Sequence, residues 1–274
     1  MTSHTATKPE LEQAFRSFVA GIKQHDEKAI SALLTPDLNH NGQQVGKQEY
    51  IGDLLKATAD TQDIVVDMLI VSSQNPAVAA RLIHHSGQGH QQHPEYVFVH
   101  FSQSNPSPQI TSIRSLADEA SSSPIPLSPP APTPEDTTTA VKDLPSFYTD
   151  YIASINTHTM EEHFPRFCQP NLTHNTRALD IPSYIHLIES SFEDIRGLHF
   201  NVVDLVADEA KQQVASRIEF TGRPVRPFRG VEPGENGEEV KFHEHAFYFL
   251  EGGRIVRVWS VLDMDAYKRC LGRS

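Results

Sequence analysis

Cysteine is scarce in this chain: Cys168 and Cys270 are the only two in 274 residues. Two isolated thiols supply neither a disulfide framework nor a metal-binding spacing, which points to a reducing compartment. Positive charge is thin as well. Lysine and arginine total 23 against 35 aspartates and glutamates, a formal net charge of −12. No basic cluster interrupts that balance, and an acidic surface repels phosphate backbones, which excludes nucleic acid as a partner. Long apolar runs are missing too. Nothing reaches the length of a bilayer span, and the opening residues MTSHTATKPELEQ hold no apolar signal core. The expectation is a soluble, cytoplasmic protein without membrane contact.

What is present is enough chain for two ordinary domains, with 38% hydrophobic and 21% charged residues. The composition changes abruptly over SSSPIPLSPPAPTPEDTTTAVKDL, from Ser121 to Leu144. Proline fixes φ and removes a donor, so this stretch reads as a semi-extended tether. It divides the chain into an N-terminal piece (1–120), a linker (121–143) and a C-terminal piece (144–274).

The two pieces repeat one pattern. FVAGIKQHDEKAISALLTPDLNHN matches YIASINTHTMEEHFPRFCQPNLTHN, so His40 stands opposite His174. Further along, Arg81 matches Arg217, Glu95 matches Glu244 and Asp118 matches Asp263. The offset grows because the second copy has a longer loop, RPVRPFRGVEPGENGEE. Ordered agreement of this kind marks an internal duplication.

Each copy reads as helices followed by strands. Leu11, Phe15, Phe18 and Ile22 form an apolar stripe at helical spacing, repeated by Phe147, Tyr151 and Ile155. A later helix in the second copy has Asp180 placed as its cap and Pro182 in its first turn. LHFNVVDLVA, QQVASRIEFTG, VKFHEHAFYFL and RIVRVWSVLD then read as strands. Three helices on a curved, mostly antiparallel sheet is an α+β plan, and a curved sheet with helices across it encloses a conical cavity. The strands are apolar on both faces. That predicts an intramolecular pseudo-dimer, sheet against sheet, which needs no second chain and is compatible with a monomer.

NLTHN, ASRIEFTG and HEHAFYFLEGGRIVRVWSVLD together resemble the SnoaL-like polyketide cyclase family, within the nuclear-transport-factor-like superfamily of α+β cones. The likeness covers most of residues 144–270 and is fainter in the first copy, which has SQSNPSPQ in the hairpin position and lacks the tryptophan. It implies a cofactor-free acid–base enzyme of secondary metabolism that cyclises or isomerises a hydrophobic polyketide or terpenoid carbonyl substrate, with no metal. Two alternatives stay open: a non-catalytic module binding a small ligand or a protein, and a dehydratase using a His–Asp pair. The more degenerate first copy is expected to be partly structural.

Candidate catalytic residues are His174, Glu244 and Asp263. A carboxyl among apolar neighbours has a raised pKa suited to moving protons near neutrality, and imidazole exchanges protons there too. Glu244 can equally be an arginine's partner in folding. Asp263 can equally be the cap of a helix over MDAYKRC. Family members often carry an acidic residue directly after the tryptophan, where this chain has Ser260. Asn175, Tyr184, Arg217, His245, Tyr248 and Trp259 are candidate substrate contacts, and packing would use the same residue types. His243 and His245 share one strand face at a spacing that suits two metal ligands, with no third ligand in view. A β-bulge would turn His245 into the pocket.

Overall fold

The computed structural model describes residues 6–72, 74–87, 91–102, 107–118, 124–129 and 139–273. The chain divides into two compact units, Met1–Pro129 and Pro130–Ser274.

The N-terminal unit runs α1 (Lys8–Lys23), α2 (Glu27–Leu33), β1 (Leu34–His40), β2 (Gln43–Gly46), α3 (Lys47–Ala57), β3 (Thr61–Val71), β4 (Ala77–Ser86), β5 (Gln92–Phe101) and β6 (Ile110–Ala117). The C-terminal unit repeats that order. It runs α4 (Leu144–Asn156), α5 (Met160–Phe167), β7 (Cys168–His174), β8 (Arg177–Asp180), α6 (Ile181–Asp194), β9 (Ile195–Asp208), β10 (Gln213–Pro224), β11 (Val240–Glu251) and β12 (Arg254–Leu262), and adds α7 (Met264–Cys270). The strand orders are β2-β1-β6-β5-β4-β3 and β8-β7-β12-β11-β10-β9. Among the described residues only the β1–β6 and β7–β12 pairings are parallel. The expected α+β plan is therefore present twice. The short extended pieces holding His-Asn become full members of each sheet.

Local chemistry starts several of the helices. Thr7 and Glu10 close a capping box on α1. Asp143 and Asp180 accept the Ser146 and Ser183 amides at the heads of α4 and α6. Each such cap stabilises its helix by about 1 kcal/mol. The two copies also turn alike. His25 and His158 take positive φ after α1 and α4, as do Asn41 and Asn175 after β1 and β7. The α4 stripe is Leu144, Tyr148, Tyr151 and Ile155, with Phe147 only half-buried.

In each unit the helices cover one face of the sheet. Leu11, Phe15, Phe18 and Ile22 pack on Val97, Val99 and Ile113. Tyr148, Tyr151 and Ile155 pack on Ala246, Tyr248 and Val258. On the other face of the N-terminal sheet, Arg81 Nη1 meets Asp67 Oδ2 at 2.6 Å, both 2% exposed. Residues 124–129 run beside this pair. Arg81 donates to the Pro126 carbonyl at 3.2 Å, the Ser128 amide to Asp67 Oδ1 at 2.8 Å, and the Ile125 amide to Gln92 Oε1 at 2.8 Å. This part of the expected tether is thus fixed to the sheet. Proline leaves its backbone few donors, and Asp67 and Gln92 accept two that remain. Residues 121–123 and 130–138 of the linker, and 103–106 of the first copy's hairpin, lie outside the described residues.

Candidate active site

Glu244 occupies the middle of β11, opposite Ile218 on β10 and Leu262 on β12. Residues paired across strands share a face, so Ile218, Glu244, Ala246, Tyr248, Val258, Ser260 and Leu262 all point toward the helices. Ile218, Glu244, Tyr248, Val258 and Leu262 line a cavity of about 80 Å³ there, together with His174, Tyr184, Tyr151 and aromatic walls from Phe200, Phe220, Phe228 and Phe242. The expected hollow exists, and an acid and an imidazole both enter it.

Burial pushes the Glu244 carboxyl up to about 7; a Ser260 hydrogen bond and the Arg229 charge offset this in part. Burial brings the His174 imidazole down to about 4, helped by Arg229 and Arg177. At neutral pH His174 is uncharged and Glu244 is close to half-protonated. Ser260 links them, with its Oγ 3.4 Å from His174 Nε2. A phenol pair completes the polar floor: Tyr151 and Tyr184 hydroxyls lie 2.8 Å apart, and the Tyr184 ring is 5.8 Å from His174. Burial raises both phenols, so they stay protonated. Tyr148 donates to Tyr248 at 3.3 Å beside them.

The long loop brings in the cation. Phe228 and Val231 exchange backbone hydrogen bonds of 3.0 and 2.9 Å. Between them Arg229 and Gly230 take φ of 49° and 78°. Two left-handed residues between a bonded pair make a tight turn, one of them glycine for lack of a Cβ penalty. The turn sends Phe228 into the cavity wall and leaves Arg229 exposed at the rim.

Of the anticipated residues, His174, Glu244, Tyr184 and Tyr248 meet in this cavity. The others do not line it. Asp263 caps α7, accepting the Ala266 amide at 2.8 Å, so the anticipated His174–Glu244–Asp263 trio is a pair. Asn175 closes the turn after β7: its Oδ1 accepts the Ser260 amide at 2.8 Å and its Nδ2 donates to the Ser260 carbonyl at 3.3 Å. Arg217 pairs with His245, and Trp259 with Phe247, one residue out of phase with Glu244 and Val258, so all three anticipated contacts lie on the opposite face. β11 runs without a bulge from Val240 to Phe249, and His245 keeps that outward facing. Among the described residues no group of three or more His, Cys, Asp or Glu is arranged to hold a metal.

Ser260, Tyr151, Phe228 and Arg229 were not anticipated. Ser260 had a signal, because IRSLAD and VWSVLD both carry serine at this step. Arg229 had none, since a loop's landing point leaves no periodicity.

The N-terminal unit holds a matching set. His40, Tyr50, Glu95 and Ser115 line a cavity of about 260 Å³, and Asn41 Oδ1 accepts the Ser115 amide at 2.9 Å, as Asn175 does for Ser260. The neighbours of the glutamate differ. Across β4–β5 the pair His84·His93 stands where β10–β11 has Phe220·Phe242. His84 Nε2 lies 2.9 Å from Glu95 Oε2. Burial alone would raise the Glu95 carboxyl, but His84, His93 and Ser115 together hold it below its ordinary value.

Residues 145–270 match the family described as SnoaL-like polyketide cyclase, and the C-terminal unit is such a domain, in tandem with a second copy of its fold. Among solved structures, a SnoaL-like polyketide cyclase from Agrobacterium tumefaciens is 34% identical, covering 48% of this chain and all of its own, with a TM-score of 0.44. TsrD from Streptomyces laurentii is 20% identical, over 51% of this chain and 98% of its own, with a TM-score of 0.43. IdmH from Streptomyces antibioticus is 17% identical, over 47% and 97%, with a TM-score of 0.41. No curated protein matches. No helix among the described residues is long and apolar enough to cross a membrane.

Proposed function

We propose that the C-terminal unit is a cofactor-free acid–base catalyst that cyclises or isomerises a hydrophobic polyketide or terpenoid carbonyl compound in secondary metabolism. The membership of residues 145–270 supports a cyclase- or isomerase-type role. The observation that carries the chemistry is Glu244, raised to about 7 among phenyl and phenol walls and joined through Ser260 to a neutral His174.

The ionised Glu244 takes a proton from the carbon alpha to a carbonyl. The C–H electron pair moves into the new C=C bond, and charge collects on the enolate oxygen. The protonated phenols of Tyr184 and Tyr151 and the Arg229 guanidinium are the donors available to that oxygen, in a cavity that admits little water. The enolate carbon then adds to a second carbonyl, closing a ring, or accepts a proton elsewhere, giving an isomer. A carboxyl whose pKa lies near the working pH both takes and returns the proton. Apolar walls select the substrate's hydrocarbon body.

The test uses 2-tetralone, an apolar ketone, in deuterated buffer with the full-length chain. Proton NMR should show faster exchange at its alpha carbons with the native protein and no acceleration with Glu244→Gln. Equal exchange with both proteins would remove Glu244 from the mechanism.

A further inference from the structure

The N-terminal cavity is the larger of the two, and its charged groups are of one sign. Its body is apolar, built from Phe15, Phe18, Leu82, Val97, Val99 and Ile113. Glu95 enters it from the sheet, and Glu49 and Asp53, one turn apart on α3, stand at the exposed rim. Neither lysine nor arginine lines it among the described residues. The C-terminal cavity is the reverse case, with one carboxyl and an arginine at the mouth.

We propose that the N-terminal cavity is a separate binding site for a small organic amine carrying an apolar ring or chain, and that it does not repeat the reaction of the C-terminal unit. Glu95 is the anchor. Its Oε2 is held at 2.9 Å by His84, which itself stacks on His93 with ring centroids 4.6 Å apart and planes 7° from parallel. This bond orients the carboxylate that an incoming ammonium pairs with. An ammonium entering the cavity meets that carboxylate, and the phenyl faces of Phe15 and Phe18 attract cations while burying the ligand's hydrocarbon part. Rim carboxylates are screened by solvent and add steering more than affinity. An enolate or carboxylate ligand meets the Glu95 carboxylate inside and those of Glu49 and Asp53 at the rim. This is why a second copy of the C-terminal reaction does not suit this cavity.

The test is calorimetric titration of the full-length chain at neutral pH with 2-phenylethylamine, 2-phenylethanol and 3-phenylpropionate, three probes of similar shape. The amine is expected to bind at least tenfold more tightly than either of the others. Glu95→Gln should remove that preference and Glu244→Gln should retain it. Val99→Trp, which fills the cavity without touching a charge, should abolish amine binding, and it decides the matter if Glu95→Gln fails to fold by circular dichroism. Equal binding of the alcohol or the acid, no amine binding, or loss of the preference with Glu244→Gln instead of Glu95→Gln would overturn the proposal. The two cavities are tested by different variants and probes, so this result stands apart from the exchange experiment on Glu244.

Discussion

The two glutamates at the centres of the two sheets occupy the same place in the same fold, yet they are different acids. Glu244 has Phe220 and Phe242 beside it and rises to about 7. Glu95 has His84 and His93 in those positions and falls below its ordinary value. Both start from desolvation, which favours the neutral acid. In one unit a hydrogen bond from His84, with His93 and Ser115 nearby, outweighs it; in the other, beside a phenyl pair, the Ser260 bond and the Arg229 charge offset it only in part. A strand position therefore determines where a carboxyl points, and its cross-strand neighbours determine what it can do. Duplication supplied the scaffold twice, and the residue pair beside each glutamate separates a raised carboxyl from a lowered one.

The comparison can be pressed at several points, starting with the largest effect. Glu244→Gln should slow turnover by roughly 10²–10⁴-fold. It should also stabilise the C-terminal unit above neutral pH. A carboxyl whose folded pKa exceeds its unfolded value binds more protons when folded, so its ionisation costs stability as pH rises from about 4.5 to 7. That cost is about 3 kcal/mol at most. Thermal unfolding at pH 8 should thus show a higher Tm for the inactive variant, and a lower one would contradict the burial argument.

Asp67→Ala leaves Arg81 buried without its carboxylate and should cost about 3–5 kcal/mol in the N-terminal unit. Calorimetry should show one unfolding transition shifted down and the other in place. The C-terminal counterpart, Arg217, is only half-buried opposite Asp204, and truncation there should cost less.

Phe220→His transplants the N-terminal arrangement beside Glu244. The acidic limb of the pH–rate profile should move down by about 1 unit or more, because an imidazole that bonds the carboxylate favours its charged form. An unmoved limb would break the assignment of the shift to this neighbour. The smallest effect is expected from Asp263→Ala. Loss of the α7 cap costs about 1 kcal/mol in urea unfolding and leaves the rate per folded molecule within twofold. A hundredfold drop in rate would return Asp263 to the chemistry.

Whatever depends on a few neighbouring residues was legible in the chain. The duplication, the Asp180 cap, the helical stripes and the alternation that turns Glu244 inward and His245 outward all follow from local spacing. The pairing of His174 with Glu244 in one hollow followed from the repeat and the resemblance together. Only the folded chain decided the rest. It assigned Asp263 to a helix cap and Asn175 to a turn, made Ser260 the link between acid and imidazole, and carried Arg229 to the cavity mouth on a loop of no regular period. Proton affinity belongs with these, because it is set by atoms within a few ångströms, and most of those come from strands and loops far away in sequence.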